Sequence, residues 1–446
     1  MKFIKNVLKN RKKWFNSELI FYIAVFCLPF ENFFFAPSAG WAAISPVILA
    51  LYIILNYKHA IKGLVKLRKI LFFFIFAVIL GSITAFINNV GVIDFINSFV
   101  PLGLGAVSLL SFWTFYNKKK DLSIVINLIV IAYAICLMIG FIEYLTLKTN
   151  NIAVKNLFSL LTKRNYLQEG GGRVQFFFTE PSFIGMHLFG ILLPMYWLSR
   201  RKDLLFILVL FLFSAIAFNS GVRVLIDIIV VAAIYFAYLL IIHKKAKFIP
   251  LVLLILGLGF TYAYNNNVRI KKIVDTGIYS DGSLSARYFR MQSSIIGYSK
   301  APIQTLFGFG MGNAIKPIHL GYDEARETYE STYVREVDAL DKDKTDFHDD
   351  SVAYSLYIRF ISEYGLILTI VAIVYLIRIT KNSRLPQRWL YFAVILYIYV
   401  QFESLGFYAL WIFILTMIFT NKKEITEKDL ASRILDNVRK KVKNDK

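Results

Sequence analysis

The sequence has little cysteine and little histidine: 2 Cys and 5 His in 446 residues. Cys27 and Cys136 lie far apart, both inside apolar stretches, which argues against a disulfide framework and a thiolate metal site. His59, His187, His243, His319 and His348 are scattered, so no histidine cluster stands ready to ligate a metal. Acidic residues are also scarce. The chain carries 29 Asp and Glu against 51 Lys and Arg, a formal charge of +22. No internal repeat is visible, nor a matching pair of Gly/Pro-broken apolar segments in the two halves, and this counts against a secondary transporter. The first apolar stretch follows a basic segment, as a signal peptide would, but no small-residue cleavage site is clear, so a retained helix is expected.

Apolar residues, by contrast, are abundant. Hydrophobic residues make up 57%, 41 residues are Phe, and the mean hydropathy is +0.57. Runs such as 70–86 and 204–218 hold no charge at all; with their flanks they are long enough to cross about 30 Å of hydrocarbon. Twelve such stretches predict helices at about 18–35, 39–56, 70–88, 94–116, 122–146, 181–199, 203–219, 221–242, 248–265, 351–377, 389–402 and 405–420. Lys and Arg crowd into alternate gaps: the N-terminus, 58–69, 118–120, 200–202, 244–247, 378–388 and the tail, whereas gaps 31–38, 88–93 and 403–404 hold none. The positive-inside rule then predicts an all-α polytopic membrane protein of about 12 spans with both termini cytoplasmic. Residues 1–265 carry nine spans, 266–350 form a long outer loop, 351–420 carry three spans, and 421–446 form a basic cytoplasmic tail. The positive charge reads as topology and anionic lipid, and no nucleic-acid partner is expected.

Ionisable residues within apolar stretches are costly and are functional candidates. Here they are Glu143, Arg223, Asp227, Arg359, Glu363 and Glu403, all toward the outer helix ends. Arg223 with Asp227, and Arg359 with Glu363, are four apart and can close on themselves as neutralised pairs. Before the stretch at 181–199 the chain reads Glu169-Gly-Gly-Gly-Arg173-Val-Gln-Phe-Phe-Phe-Thr-Glu180-Pro181-Ser182. Its glycines allow close backbone approach. Pro181 suits a first helical turn, so Glu180 is either a helix cap at the positive dipole end or a catalytic carboxylate. Arg173 is a candidate for an external anion.

In the outer loop, 283–300 predicts an amphipathic helix on the membrane surface, with a stripe of Leu284, Tyr288, Met291, Ile295 and Tyr298. Arg287 and Arg290 flank the stripe and face headgroups or a phosphate. Gly308-Phe-Gly310-Met-Gly312-Asn313 misplaces its third glycine for a dinucleotide fingerprint and predicts a backbone bend. The stretch 321–350 is acidic and poor in apolar residues, the composition of a mobile flap, and it lacks the EF-hand spacing that would bind calcium. His348 ends it at the water–membrane boundary, a candidate proton acceptor beside carboxylates that keep it basic.

Four segments then come in a characteristic order: Gly-Gly-Arg173…Thr-Glu180-Pro181-Ser182; Asn-Ser-Gly-Val-Arg223; Ser-Ala-Arg287-Tyr-Phe-Arg290…Gly308-Phe-Gly310-Met-Gly312-Asn313; and His348-Asp-Asp-Ser-Val…Ile-Ser-Glu363-Tyr-Gly365. Over roughly 165–370, and in the twelve-span outline, the chain resembles the O-antigen polymerase and ligase superfamily. The resemblance implies a metal-independent, inverting glycosyltransferase of the GT-C type, with no cofactor, in the bacterial cytoplasmic membrane and active on its outer face. The implied donor is a glycan on undecaprenyl diphosphate. Arg223 and Arg287 match the family's diphosphate-binding arginines, and His348 matches the ligase histidine that activates the acceptor. Arg173 and Glu180 match the motif before the middle helix. The expected site is thus His348 and Glu180 as catalytic groups, Arg223, Arg287, Arg290 and Arg173 on the diphosphate, and Asp227, Arg359 and Glu363 in support. Asp349, where ligases usually have Asn, and Glu180-Pro181-Ser182 both lean toward a polymerase, whose acceptor is a second lipid-linked unit. The implied partners are the lipid-linked donor and acceptor, membrane lipids and a chain-length regulator protein. A ligase with another acceptor, and a lipid-linked oligosaccharide flippase, are the alternatives.

Overall fold

The computed structural model describes residues 17–32, 43–119, 122–163, 167, 172–218, 222–243, 249–332, 334–338, 340–341 and 353–421. Among them the chain is helical, with no β-strand; this is an all-α, multi-pass membrane protein. In chain order the helices are α1 (Ser17–Phe26), α2 (Ser45–Leu55), α3 (Tyr57–Lys66), α4 (Arg68–Ile87), α5 (Val92–Lys119), α6 (Ser123–Thr149), α7 (Ile152–Leu161) and the broken α8 (Pro181–Ser199). They continue as α9 (Lys202–Ala217), α10 (Val222–His243), α11 (Ile249–Asn266), α12 (Val268–Thr276), α13 (Gly282–Lys300), α14 (Pro302–Phe307), α15 (Lys316–Glu327) and α16 (Arg335–Asp338). The last three are α17 (Leu356–Asn382), α18 (Arg388–Val400) and α19 (Tyr408–Phe419).

A helix coincides with each of the twelve expected stretches, but length separates them. Six are long and apolar enough to cross a membrane: α4, α5, α6, α8, α10 and α17. The pair α2–α3, bent by 102°, makes a seventh if it is one span. At about 1.5 Å per residue, α1, α18 and α19 each reach well under 30 Å. Two spans are broken for visible reasons. In α8, Leu188–Leu192 is a π-turn; Pro194 lacks an N–H and its ring crowds the carbonyl four residues back, which the wider turn accommodates. In α17, Gly365 leaves the helix with φ 87° and ψ 162°.

The chain forms two compact units. The first comprises 1–71, 103–221 and 406–446, the second 72–102 and 222–405. The first has an aromatic core: Phe21 stacks on Phe115 at 4.0 Å between ring centres, and Phe176 and Phe178 both pack near Phe211. In the second, α13 and α15 form a helical hairpin over Phe289, Ile318, Tyr322, Ala325, Tyr329, Val337 and Leu340. Their backbones meet closely: a Cβ on Gly297 would lie 1.9 Å from the Pro317 carbonyl oxygen, and one on Gly321 2.0 Å from that of Ser293.

This hairpin corrects two expectations. The acidic stretch is not a flap over its first part: 316–327 is helix, with Ile318, Tyr322 and Ala325 buried beneath its charged face. The remainder, 342–350, lies outside the described residues, and so does the tail 422–446. The expected amphipathic helix is there as Gly282–Lys300, but its packed face is Ser285, Ala286, Phe289, Ser293 and Gly297. Of the expected stripe, Met291 and Ile295 are exposed. A helix at that distance needs small residues between the backbones, so Met291 and Ile295 are turned outward.

Candidate functional site

The second unit gathers most of the charged candidates around two short segments, 353–355 and 401–404. Arg223, near the start of α10, donates from Nη2 to the Gln401 carbonyl at 2.8 Å and from Nε to its side-chain oxygen at 3.1 Å. One turn on, Asp227 is buried and accepts from the Gln401 amide at 2.8 Å and the Tyr397 hydroxyl at 2.5 Å. Gln401 thus links both members of the pair that sequence spacing alone would close on itself. The Asp227 carboxylate is attracted by Arg223 and by Arg287 of α13, so all three charges belong to one field.

Arg287 and Arg290 sit three residues apart on α13 and share a single aromatic ring. Their guanidinium carbons lie 5.1 Å and 4.3 Å from the centre of Tyr354, within cation–π range. Arg290 is among the largest fully buried side chains, whereas Arg287 is half-buried. Tyr354 itself has φ 52°, a left-handed conformation that non-glycine residues rarely hold. Glu403 secures this turn by accepting the Ala353 N–H at 2.8 Å and a further backbone hydrogen bond from Tyr354. Arg359 lies 3.8 Å from Glu403, pairs with Glu363 at 3.0 Å and donates to Ser98 at 2.8 Å; Ser98 in turn donates to Glu363. The i,i+4 pair expected in α17 therefore exists, extended by Ser98 and Glu403.

The glycine segment 308–312 supports this network from beneath. The break at Gly365 interrupts the helical ladder, and the freed Ser362 carbonyl accepts the Phe309 N–H at 2.7 Å. Met311 donates to the Gly81 carbonyl at 3.0 Å. Gly308, Gly310 and Gly312 all have positive φ, and a Cβ on any of them would strike backbone of 363–364, 84–85 or 94–95. The expected bend is thus a backbone-to-backbone clasp. Outside the spans, burial pushes the Tyr298 phenol up to about 12 although its hydrogen bond with Ser362 pulls the other way; it ties α13 to α17 through the Ile358 carbonyl at 2.9 Å.

Arg173 and Glu180 belong to the first unit. Glu180 precedes the first turn of α8 and accepts from Ser182 at 2.9 Å; among the described contacts it caps no backbone N–H of that turn. Between them, 174–178 is buried. Glu143 of α6 holds this segment by accepting the N–H groups of Gln175 at 2.8 Å and Phe176 at 2.9 Å. Phe176 and Phe177 there have positive φ. A second buried group is a contact the sequence did not reveal: His187 bridges Tyr133 (2.8 Å) and Glu31 (2.7 Å), with Phe178 stacked on its ring. His348 and Glu169 lie outside the described residues. Among the described residues no group of three His, Cys, Asp or Glu side chains is placed to hold a metal ion.

Sequence reasoning missed Gln401, Tyr397, Ser98 and Tyr354. They are neutral, and their roles depend on partners distant in the sequence, up to 265 residues away. No protein-family model, curated protein or solved structure matches the chain.

Proposed function

We propose that this protein is a glycosyltransferase that polymerises oligosaccharide repeat units carried on undecaprenyl diphosphate, at the outer face of the bacterial cytoplasmic membrane. The observation that supports it best is the gathering of Arg223, Arg287 and Arg290 about the Asp227 carboxylate and the Tyr354 ring. With Arg359 the cluster sets four guanidiniums beside three carboxylates, Asp227, Glu363 and Glu403. Guanidinium keeps its charge at any physiological pH and forks onto phosphate oxygens.

In the proposed reaction the donor's C1–O bond breaks and its electron pair leaves with the diphosphate, where the arginines stabilise the new charge. A hydroxyl of the acceptor, a second lipid-linked unit, attacks C1 from the opposite face. Its proton passes to His348, and undecaprenyl diphosphate is released. Asp227, Glu363 and Glu403 orient arginines and do not react. A twelve-span topology, in which α1, the bent pair α2–α3, α9, α11, α18 and α19 join the six long spans, has 266–350 and the arginines on the outer face. The motif order of the O-antigen polymerases is the second support.

The test is full-length protein in liposomes with lipid-linked repeat units as the only substrate. Longer chains, with one undecaprenyl diphosphate released per bond formed, are expected from the native protein. None is expected from Arg223→Ala or Arg287→Ala at equal protein level. Failure of the native protein to extend chains overturns the reading, and extension only after another acceptor is added makes it a ligase.

A further inference from the structure

Arg287 and Arg290 occupy the same face of α13, and helical spacing alone cannot say which one meets an anion. Their surroundings differ. Arg290 is 1% exposed, its Nη1 donates to the Ala286 carbonyl at 3.4 Å, and its guanidinium lies closer to the Tyr354 ring, at 4.3 Å. Arg287 is half-buried, stands 5.1 Å from the same ring and feels the Asp227 carboxylate. One arginine is therefore built into the core, and the other is only half-buried within the shared field.

Tyr354 holds this difference in place. A tyrosine at φ 52° persists only where its surroundings fix it, and here they do so from several sides. Glu403 takes the backbone N–H groups of 353 and 354, the Ser355 hydroxyl reaches the Tyr399 carbonyl at 3.4 Å, and the Leu356 N–H donates to Phe402 at 3.0 Å. Glu403 is itself faced by Arg359, which Glu363 and Ser98 hold in turn. The strained turn thus aims one ring at two arginines.

We infer that Tyr354 is a positioning residue: its ring locks Arg290 in the core and presents Arg287 as the guanidinium that contacts the phosphate groups. This rests on the reading of the arginine cluster as a diphosphate site. Removing the ring takes the cation–π contact from Arg287, and anion binding weakens while the other groups of the site stay in place.

The experiment measures inorganic pyrophosphate binding to the full-length protein in detergent, alongside the KM and kcat of chain extension in liposomes. Tyr354→Phe, which keeps the ring, is expected to match the native protein in both. Tyr354→Leu is expected to weaken pyrophosphate binding and raise the donor KM by about tenfold or more, with kcat changed less. Arg287→Lys is expected to lose pyrophosphate binding. If the leucine variant binds as the native protein does, or if the phenylalanine variant fails equally, the positioning role is overturned. If Arg287→Lys keeps pyrophosphate binding, the assignment of Arg287 to the phosphate groups is overturned. Native protein that binds pyrophosphate in this Tyr354-dependent way yet extends no chain upholds the inference for an anion site and overturns the polymerase reading.

Discussion

The two units bury carboxylates in different ways. In the first, Glu143 receives the N–H groups of Gln175 and Phe176, and Glu31 meets His187 and Thr179. These carboxylates hold a buried turn, where each backbone donor needs an acceptor. In the second, Asp227, Glu363 and Glu403 meet Arg223, Arg287 and Arg359, with Arg290 beside them. Glu143 is satisfied by backbone N–H groups; Asp227, Glu363 and Glu403 stand among guanidiniums, although Glu403 also takes the backbone N–H groups of 353 and 354. In the sequence Glu143 reads as a lone acid in an apolar stretch, and Asp227 as half of a pair with Arg223. Only the partners show that Glu143 belongs to the architecture and Asp227 to a charged site.

The largest expected effect separates the units by function. Arg287→Ala and Arg223→Ala should each lower chain extension by about 10²-fold or more, the scale of losing one donor to a developing oxyanion, with little change in unfolding temperature. Equal losses of stability and activity would erase the distinction. Next comes a purely structural effect in the second unit. Gly365→Ala forces a side chain at φ 87° to within 2.3 Å of the Leu306 carbonyl oxygen, so thermal unfolding in detergent should show a loss of about 3 kcal/mol or more. In the first unit, Glu143→Ala strands two buried N–H groups, at about 1–3 kcal/mol each. Glu143→Gln, which keeps an acceptor oxygen, should cost less. If the alanine variant keeps its stability but loses extension, Glu143 belongs with the arginines after all.

How much of this was legible follows from how local each signal is. Spans α4 to α6, α10 and α17 were read because hydropathy accumulates along one stretch. The 102° bend between α2 and α3 was not, because nothing between Leu55 and Tyr57 announces it. Helix α15 was misread as part of a flap although Ile318, Tyr322 and Ala325 recur at helical spacing; the acids between them dominated the composition. His187 was dismissed as isolated because its acid, Glu31, is 156 residues away. Arg223 was found because charge in an apolar context stands out, and Arg287 and Arg290 because they flank an apolar stripe. Gln401 and Tyr354, which organise them, are neutral and gave no such signal.

The smallest expected effect lies in the hairpin of the second unit. Asp281 caps α13 by accepting the Leu284 N–H at 3.0 Å and pairs with Arg269 at 2.6 Å. Burial raises its carboxyl, but the Arg269 hydrogen bonds and charge, with the backbone N–H groups of Leu284 and Ser283, outweigh it and hold the group below its ordinary value. A depressed value in the folded state means that the stabilisation is complete above the unfolded value of about 4 and is lost as pH falls through the folded one. Asp281→Ala should therefore cost about 1–2 kcal/mol near neutrality. The gap between the two proteins should close below about pH 4, as read by limited proteolysis of the hairpin across pH.

The central claim is that the guanidinium network serves a lipid-linked glycan. The most direct measurement is the surface glycan of a strain lacking this gene, run as a size ladder beside its pool of lipid-linked glycan. Surface chains reduced to single repeat units are the expected result, restored by the native gene and not by Arg287→Ala. An unchanged ladder and an unchanged pool would contradict the account and return the flippase alternative to the front.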